Sequence, residues 1–130
     1  AEAQEELRRS VTDQRGRTIA EELDGVRDVL LSGGLEVAVT GDPHEVTGPV
    51  GLVLGWVLRE AATNVLRHAH ATRVEISFAP GRFSVADDGD GYAGGEGNGL
   101  TGMRERVAAA GGEFRCGTSP LGGFEVVVMW

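Results

Sequence analysis

The 130-residue chain has no lysine; its twelve cationic side chains are all arginine. That excludes the P-loop nucleotide folds, whose phosphate-binding lysine has no candidate here. A lysine-free chain rich in arginine and alanine also suggests a genome of high GC content. Cysteine occurs once, at Cys116, so no internal disulfide and no cysteine metal site can form. A reducing compartment fits, and Cys116 itself reads as a small, half-buried strand residue. No apolar run approaches the about 18 residues of a membrane span. Positive charge is in deficit: the net charge of -8 argues against a nucleic-acid or anionic-membrane partner. Neither a signal peptide nor an initiator methionine opens the chain, so it reads as a cytoplasmic piece of a longer protein, whose other parts could include a membrane anchor.

What is present in excess is glycine, at 21 of 130 residues, roughly double the average usage of about 7%. The excess is concentrated in "VADDGDGYAGGEGNGLTGMRERV", residues 85–107, which points to a special loop rather than to low complexity. The remaining composition is that of one soluble domain with a single core. Residues 1–17 are charged and poorly patterned, and read as the end of a helix and linker from a preceding unit. From Thr18 the pattern becomes regular. Thr18-Ile19-Ala20-Glu21 fits a capping box, Ile19, Leu23, Val26 and Leu30 follow at helical spacing, and Gly33-Gly34 ends the helix. "LEVAVT" predicts a strand, residues 50–69 a long helix, and "TRVEISFA" and "RFSVADD" two strands joined at Pro80-Gly81. Leu100, Met103 and Val107 predict another helix, and "GEFRCG" and "FEVVVMW" a closing hairpin. Without regular β-α alternation this is an α+β two-layer sandwich rather than a doubly wound sheet.

Gly89, Gly91 and Gly94 spell a G-x-G-x-x-G, but a dinucleotide site needs a helix to begin at the third glycine. Gly95, Gly97 and Gly99 follow instead, and each interior glycine costs a helix about 1 kcal/mol against alanine. A calcium loop needs oxygen ligands at positions 1, 3 and 5 before its glycine. Placing Gly91 or Gly95 at that glycine puts Ala86 or Tyr92 at a ligand position, so both registers fail. A surface loop without a role remains the plain alternative.

The long helix adds chemistry. In "LREAATNVLRHA", Glu60, Asn64, Arg67 and His68 fall at i, i+4, i+7 and i+8, one stripe about 12 Å long at 1.5 Å per residue. A carboxylate, an amide and two cations so arranged suit a metal-chelated polyphosphate; a solvated helix face accounts for the same pattern. Asparagine is a poor helix-interior residue, and the only two asparagines, Asn64 and Asn98, lie in these two segments.

"LREAATNVLRHA" resembles the N box, "DDGDG" the first glycine box and "GNGLTGMRERV" the second glycine box of sensor histidine kinases. The chain is similar to their catalytic ATP-binding domain, of the Bergerat fold, and the resemblance implies a mixed sheet covered on one face by helices over residues 18–130. The "GLTGMRERV" form is similar to the subfamily of nitrate-sensing and membrane-fluidity-sensing kinases common in actinobacteria. The resemblance implies that Asp87 accepts a hydrogen bond from the adenine amino group of ATP, and that Gly89 and Gly91 let the backbone approach the base. It implies Asn64 as an oxygen ligand of Mg²⁺, Glu60 as the group that orients or deprotonates the nucleophile, and Arg67 and His68 as phosphate contacts. Gly97 and Gly99 would offer backbone amides to the phosphates, at the positive end of the helix that begins near Leu100. Arg104 and Arg106 are open between packing and surface salt bridges.

Two departures stand out. Only residues 92–96 separate the glycine boxes, so a short lid and ATP affinity in the tens of micromolar or weaker are expected. Gly122-Gly123-Phe124 stands where the family usually has glycine-glycine-threonine. His44 and His70 lack the context of a phosphoacceptor, so the accepting histidine is expected on a separate dimerisation domain, with a response regulator downstream and the fragment itself monomeric. The alternatives are a serine kinase of the anti-sigma-factor type and a non-catalytic ATP-sensing module.

Overall fold

The computed structural model describes residues 18–46, 48–91 and 98–130, with only the backbone of Glu45, His68, Ala69 and Asn98. The expected linker remnant 1–17, the short lid 92–96 and Gly97 lie outside the described residues.

Helix α1 (Ile19–Ser32) opens on Thr18, whose hydroxyl oxygen accepts the Glu21 amide proton at 3.2 Å. Glu21 reaches back, but to the Thr18 hydroxyl at 3.3 Å rather than to its amide. Of the two glycines that end the helix, Gly34 takes the left-handed conformation at φ 87°, and the Leu35 amide returns to the Leu30 carbonyl at 3.1 Å. The buried face is Ile19, Leu23, Val26 and Leu30, as the spacing predicts, with Glu22 among them. Glu22 is 5% exposed and takes both Nε and Nη2 of Arg59, at 2.9 to 3.2 Å. This bidentate pair ties α1 to the next helix and fixes that helix's rotation.

Strand β1 (Glu36–Thr40) leads through a short 3₁₀ turn (Pro43–Glu45) into α2 (Gly48–Asn64), which continues as a π turn (Val65–Ala69). Strands β2 (Arg73–Ala79) and β3 (Arg82–Asp87) form a hairpin, helix α3 (Asn98–Ala109) follows, and β4 (Glu113–Thr118) and β5 (Phe124–Met129) close the sheet. Within the described residues the expected elements are present, with ends shifted by one or two residues except that the α-helical part of the long helix stops at Asn64.

The sheet order is β1-β2-β3-β5-β4, with β1 and β2 parallel and all other pairs antiparallel. The parallel pair needs a long crossover, and α2 supplies it. Period-2 alternation then sorts the faces. Val74, Ile76 and Phe78 of β2 stand opposite Asp87, Val85 and Phe83 of β3, all buried on one side. Leu30, Leu54, Leu58, Met103 and Val107 of the helices complete that core, each burial contributing about 2 to 3 kcal/mol of transfer free energy. On the other face Glu75 is half-buried and Arg82 and Arg115 are exposed. The register thus carries Asp87, a carboxylate, to the core side at the very end of β3.

Candidate functional site

Asp87 is 2% exposed. Its Oδ1 accepts the Gly89 amide at 2.8 Å, an Asx turn, and the Phe124 amide at 3.3 Å. Among the described residues Oδ2 has no hydrogen-bond partner. A buried acceptor left open in this way calls for a donor. Asp87 thus carries one carboxylate oxygen without a described partner, beside the buried Val74 and Val85 on the same face of the sheet.

The neighbouring aspartate is used differently. Asp88 Oδ1 accepts the amides of Thr72 and Arg73 at 2.8 and 2.9 Å, and Oδ2 takes the Thr72 hydroxyl. The Thr72 hydroxyl, then the backbone amides, hold its carboxyl below the usual carboxylate range. Asp88 is a clamp that joins the start of β2 to the end of β3.

Around Asp87 the backbone is closely drawn. Gly91 has φ 81°, which glycine alone adopts without strain. Gly123 touches the aspartate itself: a Cβ there would stand 2.3 Å from Asp87 Oδ1 and 2.5 Å from the Gly89 nitrogen. The Gly123 amide donates to the Asp87 carbonyl at 3.2 Å, and so does the hydroxyl of Ser119, at 2.6 Å. Neither Ser119 nor Gly123 is among the residues expected from the sequence. The signal available was Ser119-Pro120 followed by Gly122-Gly123, a side-chain-capped turn whose packing partner lies 32 residues earlier. Phe124, where threonine is usual in the family resembled, contributes its backbone amide, a donor independent of the side chain.

Glu60 and Asn64 sit one turn apart on α2, both half-buried, and α2 lies against β3. Arg67 and the backbone of His68 lie past the α-helical part of the expected stripe, and the His68 side chain is outside the described residues. From Val65 the helix widens to π geometry, one residue more per hydrogen-bonded turn, so positions beyond Asn64 rotate away from an α-helical i+4 row. Arg67 is exposed, and His70 ends the turn in left-handed conformation at φ 50°. His70 Nδ1 lies 2.7 Å from Asp90 Oδ2, so the helix end meets the glycine segment through an exposed pair. π turns of this kind are frequent at functional sites.

Gly99 and Leu100 lie in the first turn of α3, where amides have no partner within the helix and the dipole is positive. The Leu100 side chain is buried in the core, so only its backbone is available to a ligand. Among the described residues a Cβ at Gly99 would meet nothing within 4 Å. Arg104 and Arg106 both take part in packing. Arg104 donates to the Phe114 carbonyl at 2.9 Å and lies over its ring, while Arg106 stacks 4.3 Å from the centre of the Trp56 ring. They fasten α3 to β4 and to α2.

An Mg²⁺ shell of six oxygens could take the Asn64 amide oxygen, with phosphate oxygens and waters supplying the others. That donor chemistry fits a metal that arrives with a polyphosphate. Among the described residues no three His, Cys, Asp or Glu side chains gather as a metal site.

The five-stranded mixed α+β architecture matches the ATP-binding domains of histidine kinases. The ATP-binding domain of PrrB from Mycobacterium tuberculosis superposes with a TM-score of 0.62 over 85% of this chain and 91% of that one, at 23% identity. In sequence the chain is homologous to sensor histidine kinases. It is 34% identical over 113 residues to the sensor histidine kinase YvfT of Bacillus subtilis (strain 168) and 30% identical over 124 residues to DesK of the same organism. Those alignments take in 81% and 87% of this chain but 30% and 33% of YvfT and DesK, so the chain spans about a third of the relatives it matches. No family model matches it.

Proposed function

We propose that this chain is the ATP-binding catalytic domain of a sensor histidine kinase, which transfers the γ-phosphoryl group of Mg-ATP to a histidine on a separate dimerisation domain for relay to a response regulator. The carrying observation is Asp87, a carboxylate 2% exposed whose Oδ1 is engaged by two amides and whose Oδ2 has no partner among the described residues. That oxygen accepts the adenine 6-amino group, and Gly89 and Gly91 admit the base. A guanine there would present a carbonyl oxygen to a carboxylate, so ATP is selected over GTP.

The remaining roles follow from position. Gly97, Gly99 and Leu100 offer backbone amides to the phosphates at the N-terminus of α3. Asn64 holds the metal with the phosphates, and Glu60 orients or deprotonates the accepting imidazole. Arg67 and His68, on the π turn, contact phosphate oxygens. When bound, Mg²⁺ neutralises charge on the phosphoryl group, and transfer then depends on positioning more than on covalent chemistry. The "GLTGMRERV" segment supports placing the chain with nitrate-sensing and membrane-fluidity-sensing kinases, and the short spacing between the glycine boxes supports an ATP affinity in the tens of micromolar or weaker.

Calorimetric titration with ATP, ADP and GTP, with and without Mg²⁺, tests the binding half. ATP and ADP are expected to bind and GTP to bind at least tenfold more weakly; equal binding of all three would refute the base assignment. Incubation with a histidine-containing dimerisation domain tests the transfer half. Acid-labile phosphate on that partner is expected, whereas acid-stable phosphate points to the serine-kinase alternative, and no transfer to the non-catalytic one. Asn64→Asp should leave ADP affinity within about threefold and lower Mg-dependent transfer at least about tenfold.

A further inference from the structure

The turn between β4 and β5 is built around one buried hydroxyl. Ser119 is 5% exposed, and its Oγ makes three hydrogen bonds: it donates to the Asp87 carbonyl at 2.6 Å and accepts the amides of Leu121 at 3.0 Å and Gly123 at 3.3 Å. The Ser119 amide donates to the Gly123 carbonyl at 2.9 Å, and the Gly122 amide to the Ser119 carbonyl at 3.0 Å, closing the turn on itself. Leaving this turn, the chain presents the Phe124 amide to Asp87 Oδ1. At Gly123 it approaches Asp87 so closely that no Cβ fits. Among the described residues the hydroxyl is the turn's own side-chain bond to the end of β3, beside the Gly123 amide on the same carbonyl, and the turn in turn supplies one of the two amides that occupy Oδ1.

We propose that Ser119 is a positioning residue for base recognition: by locking the β4–β5 turn onto the Asp87 backbone it aims Oδ2 at the 6-amino group of a purine. The inference rests on the reading of Asp87 as the base acceptor. A hydrogen bond to a ligand discriminates only where its acceptor is held to a fraction of an ångström, and a shift of about 1 Å is enough to lose a hundredfold. Asp87 Oδ1 is fixed from two sides, by Gly89 within its own loop and by Phe124 from across the sheet. Without the Ser119 hydroxyl, the Leu121 and Gly123 amides lose an acceptor and the Asp87 carbonyl a donor. The turn then loosens, and the second anchor of the carboxylate goes with it.

The test compares ATP with the triphosphate of purine riboside, which is identical but for the missing 6-amino group, in calorimetric titrations of the 130-residue chain with Mg²⁺. Wild type should prefer ATP by at least about tenfold. Ser119→Ala should lower ATP affinity about tenfold and leave affinity for the analogue within about threefold, so that the preference collapses. Ser119→Cys, close to serine in shape but a weak donor, should fall between the two. A folded Ser119→Ala or Ser119→Cys chain that keeps the wild-type preference overturns the proposal, whatever its melting temperature, because the hydroxyl then serves stability alone. If neither variant folds, the hydroxyl is a folding requirement rather than an aiming device, and the proposal is again overturned. A wild type that binds both triphosphates equally refutes the reading of Asp87 itself, an outcome seen without any variant.

Discussion

Asp87 and Asn64 are the two polar side chains on which the proposed site most depends, and the fold holds them in contrasting ways. Asp87 ends a central strand, with two amides on Oδ1 and a buried hydroxyl and an amide on its carbonyl. Asn64 is the last α-helical residue before a π turn, and among the described residues no hydrogen bond holds its side chain. The glycines repeat the contrast: at Gly123 an added Cβ would strike Asp87, while at Gly99 it would meet no atom of the described residues within 4 Å. Base recognition needs a fixed acceptor, and a strand end bonded from two sides provides one. Phosphoryl transfer brings a metal, waters and a second domain together, and a helix end with fewer internal bonds can accommodate them.

The strongest break in this comparison is Asp87→Asn. The Gly89 and Phe124 amides demand an oxygen at the Oδ1 position, so the new NH₂ group must take the place of Oδ2. It then meets the adenine amino group donor against donor. ATP affinity should fall by more than about a hundredfold while the melting temperature moves only a few degrees. ATP binding within fivefold of wild type would remove Asp87 from the site.

Next in size is the paired glycine test. Gly123→Ala forces a methyl group against Asp87, which should cost about 1 to 3 kcal/mol of stability and weaken ATP at least about tenfold. Gly99→Ala keeps the backbone amide and adds, in a helix, a methyl group that meets none of the described residues within 4 Å. Stability should hold or rise by up to about 1 kcal/mol, with ATP affinity within about threefold. Chemical denaturation and calorimetry read both quantities. Equal effects at the two positions would dissolve the contrast.

Most of the fold was legible because its signals are local. Period-2 runs, the Thr18 cap and the glycine stops each depend on residues a few positions apart, and the elements appear where those signals put them. Asp87 was legible by its motif, and Glu60 and Asn64 by helical spacing. Three things were not. Ser119 gains its role from a contact 32 residues away, which no local pattern reveals. The π turn at Val65–Ala69 has no signature in the local pattern, so the sequence placed Arg67 and His68 on an α-helical row rather than on a π turn. Arg104 and Arg106, which the sequence left open between packing and surface salt bridges, stack on Phe114 and Trp56, partners fixed only by tertiary packing.

The smallest expected effect separates Asp87 from its neighbour. Asp88 bonds the Thr72 hydroxyl and the Thr72 and Arg73 amides, and those bonds hold its carboxyl below the ordinary range in the folded chain. A carboxyl depressed on folding contributes stability above its unfolded value, and that contribution is lost as pH falls through the lower folded value. Below about pH 4 the wild-type melting temperature should therefore drop more steeply than that of Asp88→Asn, which has no such charge to lose. The difference should be a few degrees at most, because the clamp is exposed to solvent. At neutral pH Asp88→Asn should bind ATP within about threefold of wild type, since the clamp joins β2 to β3 without touching the open Oδ2 of Asp87. Parallel acid slopes for the two proteins would mean that the three bonds to Thr72 and Arg73 do not persist in solution. A tenfold loss of ATP at neutral pH would mean instead that the carboxylate of Asp87 is aimed from the β2 side as well as from the β4–β5 turn.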